Sequence, residues 1–257
     1  MPTIHQALTL ARVPNLPTVW SNVLMAWALA GGGGMGRLAA ALAGGTLLYA
    51  GGCTLNDACD VRWDRTHKPD RLIPSGALKE RTVWTLGLAQ MVLGLACFVL
   101  ANPASWFWPA GLVLAILAYD FRHKESPWSV VVMGACRAML ILSAAAVAGG
   151  ALHWKSLTAA AVVWLYIISL SLLARRETRP GGGILKALRP NWSVGRWVGE
   201  MLAAIPLLDA ALLFALGTGT AGVACLVAGT GGAHGVGLVC LLLWPLCRLL
   251  QRKYAAT

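Results

Sequence analysis

The chain has 257 residues, of which 58% are hydrophobic and only 12% charged, about half the roughly 25% charged share of a soluble domain. A soluble fold of this size cannot hide so much apolar side chain behind so few charges. That excludes a soluble enzyme, a disordered protein and a disulfide-rich secreted module. Twenty-one Lys and Arg against ten Asp and Glu leave a net charge of +11. The basic residues fall in short patches between long apolar runs, which reads as loops at a membrane face and not as a nucleic-acid surface. The class that remains is an all-α, polytopic transmembrane bundle with lipid around it and no nucleic acid partner.

In chain order, apolar stretches begin near Thr18, Leu38, Thr82, Ser105, Trp128, Leu157, Trp197, Thr220 and Gly235. At about 20 residues per crossing they predict about nine spans in a single domain over residues 1–257. The last two are separated only weakly, by Gly-rich residues 229–237. No small-residue cleavage site follows an N-terminal apolar core, which predicts that the first span is retained. Trp20, Trp106, Trp108, Trp128, Trp154, Trp197 and Trp244 near the span ends predict an aromatic belt. Cys53, Cys59, Cys97, Cys136, Cys225, Cys240 and Cys247 form no CxxC pair and have no metal-ligand spacing. Most read as small hydrophobes.

Positive charge sets the orientation. Arg62, Arg65, Lys68, Arg71, Lys79 and Arg81 follow span 2, Arg122 and Lys124 follow span 4, and Arg175, Arg176, Arg179, Lys186, Arg189 and Arg196 follow span 6. The opposite loops carry only Arg37 and Lys155. The three basic loops therefore predict an inner or plasma membrane protein with a cytoplasmic N-terminus and a cytoplasmic site. Arg248, Arg252 and Lys253 disagree, because after nine spans they would lie outside.

The same face holds the acid: Asp57, Asp60, Asp64, Asp70 and Glu80 are half of the ten carboxylates. Span 2 ends in Asn56-Asp57-Ala58-Cys59-Asp60-Val61-Arg62-Trp63-Asp64. On a helix, Asn56, Asp57, Asp60 and Asp64 fall within an arc of roughly 100°. Three carboxylates facing one point repel and call for a cation. Hard oxygen ligands suit Mg²⁺, which also takes phosphate oxygens. The basic, two-proline loop that follows, Arg65 to Gly76, places Lys68 and Arg71 to meet phosphate oxygens. Carboxylates, metal and basic loop together describe a diphosphate site at the membrane surface. The plainer reading is a solvated, salt-bridged helix end.

The run NDACDVRWD matches the NDxxDxxxD signature of UbiA-type membrane prenyltransferases, and KPDRLIPSG resembles the basic K-x-x-RPIPSG stretch that follows it in that family. Leu72 stands where the family usually has Pro. Arg12 and Asn15 before span 1, and Tyr119 with Lys124 after span 4, also fall where the family has similar residues. The resemblance is motif-specific over about residues 55–76 and extends to the arrangement of spans over nearly the whole chain. It implies nine helices around a central cavity and an isoprenyl diphosphate bound through Mg²⁺ on two Asp-rich motifs. The prenyl group would then pass to an acceptor. The second motif departs from the pattern: after span 6 the chain reads Ala174-Arg175-Arg176-Glu177-Thr178-Arg179-Pro180, with one carboxylate among three arginines. Two readings follow. An arginine replaces a metal in neutralising the diphosphate, or the site binds prenyl diphosphate without efficient turnover. That motif, with Met133-Gly134-Ala135-Cys136-Arg137, most resembles the EboC-like branch, which implies a polar, non-quinone acceptor.

On the transferase reading, Asp57, Asp60 and Asp64 hold Mg²⁺ and Asn56 orients the site. Lys68, Arg71 and Arg175 or Arg176 meet the phosphates, with Glu177 beside them. Tyr119, Asp120 and Lys124, on a second cytoplasmic helix end, orient or deprotonate the acceptor. Arg137 and Asp209 lie roughly 15–18 Å below that face. Ionisable groups at such depth pair or line a cavity, which predicts that the two approach one another or share a polar chamber. Five histidines show no ligand spacing, and Gly31–Gly34 and Gly181–Gly183 read as turns. Against the Mg²⁺-dependent transferase stand a non-catalytic polyprenyl-phosphate carrier and a small transporter. A carrier has no need of three aligned carboxylates, and a transporter calls for paired broken helices in two halves.

Overall fold

In lipid the backbone finds no water to bond, so a spanning chain satisfies its N–H and C=O groups within helices. The computed structural model describes residues 3–122, 128–149, 152–176, 194–217 and 233–253, and among these it contains helices and connections but no strand. In order these are α1 (Ile4–Leu10), α2 (Leu16–Leu29), α3 (Met35–Cys59), α4 (Val61–His67), α5 (Glu80–Ala101), α6 (Phe107–Arg122), α7 (Ser129–Val147), α8 (Trp154–Arg176), α9 (Val194–Ala203), α10 (Ile205–Leu216) and α11 (Ala233–Lys253).

Among the described residues, six segments are long and apolar enough to cross a membrane: Met35–Cys59, Glu80–Ala101, Ser129–Val147, Trp154–Arg175, Gly195–Leu216 and Gly235–Arg252. Gly195–Leu216 combines α9 and α10, which meet at Ala204 ahead of Pro206. The spans expected from Thr18 and Ser105 are the shorter helices α2, of 14 residues, and α6, of 16. At 1.5 Å per residue these reach about 21 and 24 Å, less than the roughly 30 Å hydrocarbon core. The span expected from Thr220 lies outside the described residues. Trp106, Trp128 and Trp154 are exposed at helix ends, where an aromatic belt places them.

Two features position the site. The first is the close approach of α3 and α5. A Cβ on Gly94 would stand 2.9 Å from the Leu48 backbone nitrogen and 3.0 Å from the Gly44 carbonyl, and one on Gly44 would stand 2.7 Å from the Phe98 ring. Small residues at such a crossing let two backbones touch, which is how helices gain packing energy where lipid supplies no hydrophobic drive. The second is the return of α11 to α2. Cys240 Sγ donates to the Ser21 carbonyl at 3.9 Å and Cys247 Sγ to the Pro14 carbonyl at 3.2 Å, an equal step along each helix in opposite directions. α11 therefore runs antiparallel to α2 and ends at the face where α2 begins. There Arg248 pairs with Glu200, and Gln251 Nε2 donates to the Gly199 carbonyl at 3.2 Å. The basic end of the chain thus shares the face of the basic loop after α3, and the conflict that nine spans created for Arg248 and Arg252 disappears.

Replacing Gly94 by Val puts a branched side chain against the Leu48 backbone. Overpacking of this kind costs about 1–3 kcal/mol, and a thermal melt of the purified protein will show a lower midpoint than wild type. In a background without reactive native cysteines, Ser75→Cys and Arg252→Cys will be labelled by an impermeant maleimide from the same side of sealed membranes.

Candidate functional site

A cavity of about 580 Å³ opens among α2, α3, α6, α7, α8 and α9, within the range of ordinary small-molecule sites. Its deeper wall is apolar: Val19, Leu48, Leu112, Ile116, Leu140 and Ile167. Its mouth is polar, with Arg12, Asn15, Asn56, Asp120, Ser129 and Arg175. The last turns of α3 supply one face of it, since Tyr49, Cys53 and Asn56 follow the helical repeat and all line the cavity.

The carboxylate motif adjoins this mouth: its Asn56 lines the cavity, and Asp57 pairs with the lining residue Arg12. α3 ends at Cys59, Asp60 joins it to α4, and the N–H groups of Asp60 and Asp64 still bond the carbonyls of Asn56 and Asp60 at 2.9 Å, so the chain stays helical through the junction. Asp60 and Asp64 are buried. Arg12 Nη2 donates to Asn56 Oδ1 at 3.3 Å and to Asp57 Oδ1 at 3.2 Å. Arg71 Nη1 reaches Asp57 Oδ1 at 3.4 Å and Asp64 Oδ2 at 2.8 Å. Asn56 Nδ2 donates to Asp120 Oδ1 at 3.3 Å, tying the end of α3 to the end of α6. Asp57 and Asp64 therefore face a common cation, as their spacing predicts, but that cation is a guanidinium. Among the described residues no three His, Cys, Asp or Glu side chains converge as a metal cluster. The donor set nonetheless fits Mg²⁺, being all oxygen. Asp64 Oδ1 is a buried carboxylate oxygen without a hydrogen-bond partner, the kind of atom a hard cation would satisfy.

Arg12 is held in an unusual way. Its φ of 44° makes it the one non-glycine residue with positive φ among those described, a conformation that costs of order 1–3 kcal/mol. Tyr49 Oη donates to its carbonyl at 3.5 Å, and the 3-10 turn Val13–Asn15 follows at once. Burial opposes its charge, but the facing Asp57 carboxylate outweighs that effect and its pKa lies above the ordinary arginine value.

Of the other residues singled out by sequence, Tyr119 and Asp120 line the cavity, and so does Arg175, which donates to the Ser129 hydroxyl. Lys68 is exposed at the end of α4 and forms no ion pair among the described residues. Lys124 and Glu177 lie outside the described residues, as does the side chain of Arg176. Arg137 and Asp209 share one polar network without pairing directly. Arg137 donates to Asn22 Oδ1 at 3.1 Å, and Asn22 Nδ2 donates to both Asp209 oxygens at 2.9 and 2.8 Å. The sequence reading left Ser21, Asn22 and Tyr49 unnoticed. Tyr49 had a signal, since it lies on the Asn56 face of the helix; Ser21 and Asn22 had none, being ordinary polar residues in an apolar run.

The profile of the UbiA prenyltransferase family matches residues 15–257. Over 136 residues, 52% of this chain and 49% of the relative, the sequence is 29% identical to a digeranylgeranylglyceryl phosphate synthase of Methanoregula boonei. Over 115 residues, 42% and 39%, it is 35% identical to a 4-hydroxybenzoate octaprenyltransferase of Acidovorax ebreus. The matches thus span half or less of these relatives' length. In fold, the chain is similar to a UbiA homolog from Archaeoglobus fulgidus bound to GPP and Mg²⁺, with a TM-score of 0.59, 11% identity and coverage of 98% and 97%. It is also similar to the apo UbiA homolog from Aeropyrum pernix K1, with a TM-score of 0.57, 15% identity and coverage of 98% and 100%.

Removing Arg71 leaves Asp64 buried without its cation. Breaking a buried pair in this way costs about 3–5 kcal/mol, so Arg71→Ala will lower the melting midpoint well below that of wild type. Adding Asp64→Asn to it will restore most of the loss, because the uncompensated charge is gone.

Proposed function

The chain belongs to the UbiA prenyltransferase family, and from that membership we propose that it transfers an isoprenyl group from an isoprenyl diphosphate to a small acceptor within the membrane, releasing diphosphate. One observation carries the reading: Arg12, Asn56, Asp120 and Arg175 stand at the mouth of an otherwise largely apolar cavity, and through Arg12 and Asn56 that mouth adjoins the helix-end carboxylates paired with Arg71. The ionic head of a prenyl diphosphate meets the first and its hydrocarbon tail the second. The fold neighbour bound to GPP and Mg²⁺ supports the same class of donor.

In this reading Asp57, Asp60 and Asp64 hold Mg²⁺, with Asn56 orienting the site between Arg12 and Asp120. Magnesium supplies charge to the departing diphosphate. The chain's own cations do the rest of that work. Arg12 and Arg71 exchange carboxylate oxygens for phosphate oxygens, and Arg175 adds a third guanidinium at the mouth. Lys68 and Arg176 are further cations for the phosphates, and Glu177 is the carboxylate of the second motif. The allylic C–O bond breaks with its electron pair passing to the diphosphate. The apolar wall excludes water from the allylic cation. The acceptor nucleophile bonds the allylic carbon, and its proton passes to Asp120, which lines the cavity beside Tyr119 and is buried. Lys124 steers the acceptor toward that pair. The positive charge of the basic loops supports a cytoplasmic mouth.

Binding of GPP to the purified protein, with and without Mg²⁺ and with Asp60→Asn, tests the reading. The expected result is binding that needs the metal and weakens about a hundredfold in Asp60→Asn, a loss of about 2.7 kcal/mol. Tight binding indifferent to both would identify a polyprenyl-phosphate carrier whose arginines do the work.

A further inference from the structure

Arg137 is a cation of the cavity wall that the diphosphate site does not use. It lies in α7 eight positions after Ser129, the residue that holds Arg175, so it is about 12 Å deeper along the helix. A diphosphate at the mouth leaves it unengaged. Its Nη1 donates to Asn22 Oδ1 at 3.1 Å and its Nη2 to Thr18 Oγ1 at 2.9 Å. Both acceptors are neutral and both belong to α2. The carboxylate of Asp209 is one residue further back: Asn22 Nδ2 bonds its two oxygens, and Ser21 Oγ donates to Oδ2 at 2.5 Å. Asp209 is buried completely. Asn22 thus accepts from the arginine and donates to the aspartate, which fixes its amide and through it one edge of the guanidinium.

Arg137 also lines the cavity. A guanidinium has five N–H donors, and among the described residues α2 takes two of them. The Tyr49 ring lies 5.7 Å from Cζ and covers one face. Cys136 and Leu140 supply the apolar surroundings. Asp209 compensates this charge only through the Asn22 amide, and the N–H donors that α2 leaves over match a planar or tetrahedral oxyanion. A purely hydrocarbon or neutral quinol-like acceptor would leave those remaining donors unanswered on the wall of its own site.

We propose that Arg137 is the acceptor-recognising residue, taking a carboxylate or phosphate carried by the acceptor, and that Thr18, Asn22 and Asp209 are the positioning residues that hold it. The acceptor is then a compact acid anion, with its oxyanion deep against Arg137 and its nucleophile toward Asp120. The acceptor role rests on the transferase reading; the oxyanion site does not.

The test uses the full chain in detergent, with benzoate, phenyl phosphate and the neutral benzyl alcohol as probes, measured by calorimetry. Wild type will bind at least one of the two anions and not the alcohol, and the tighter anion identifies the source of the oxyanion. Arg137→Gln, shown to be folded by gel filtration and circular dichroism, will lose at least about thirtyfold in that affinity. Arg137→Lys, which keeps the charge without the fork, will lose less. If Arg137→Gln does not fold, the Lys variant decides, and unchanged affinity in it overturns the proposal. Anion binding that survives in Arg137→Gln, which would place the anion on Arg12 or Arg175, also overturns it. So does wild type that binds neither anion. Failure of wild type to bind GPP with Mg²⁺ would sink the transferase reading separately and leave the anion result standing.

Discussion

Paired opposite charges at a membrane face organise this protein. Arg12 joins the chain entering α2 to the end of α3, and Arg71 joins the loop after α4 back to the same carboxylates. Each carboxylate is taken out of water by the fold and repelled by its neighbours, so none is tolerable alone. The positive φ at Arg12 is what reaching Asn56 and Asp57 from the turn before α2 requires. Strain is accepted at the residue whose guanidinium ties the turn before α2 to the end of α3. Asn56 then carries the linkage to Asp120 and the end of α6.

Below the mouth the logic changes from charge to contact. Gly44 and Gly94 let α3 meet α5 backbone to backbone, which fixes the helix that bears the motif. The antiparallel return of α11 against α2 braces the other side of Arg12. The deep network of Thr18, Ser21, Asn22, Arg137 and Asp209 joins α2, α7 and α10 where apolar packing alone would not specify register. Such a network is tolerable only when its charges are compensated, and here the two charges are separated by a single amide. The cavity therefore has two cationic levels, one at the mouth and one about 12 Å down.

The sequence made much of this legible and left some of it hidden. Hydropathy made the helical, membrane-embedded class legible, because it depends on composition along the chain. The helical repeat put Asp57 and Asp64 on one cation, because the backbone stays helical through Asp60. It could not reveal that the cation is Arg71, which reaches back from a turn whose course depends on Ile73 and Leu78 packing beside Val83. The end of α2 was legible, since the glycine run read as a turn and Gly31 and Gly32 do turn the chain at positive φ. Arg137 and Asp209 were legible as a coupled pair of depths, but Asn22 between them was not, because a single amide in an apolar run carries no periodic signal. The face of the C-terminal charges also required three dimensions: it follows from which carbonyls Cys240 and Cys247 meet.

An experimental structure with GPP and Mg²⁺ bound is the most direct test that the arginines at the mouth are placeholders for the ionic head of the donor. The account predicts that Arg12 and Arg71 leave Asp57 and Asp64 and contact phosphate oxygens, while the three aspartates turn to the metal and the prenyl tail lies along the apolar wall. A complex in which both arginine–carboxylate pairs persist, with the diphosphate held elsewhere, would contradict it.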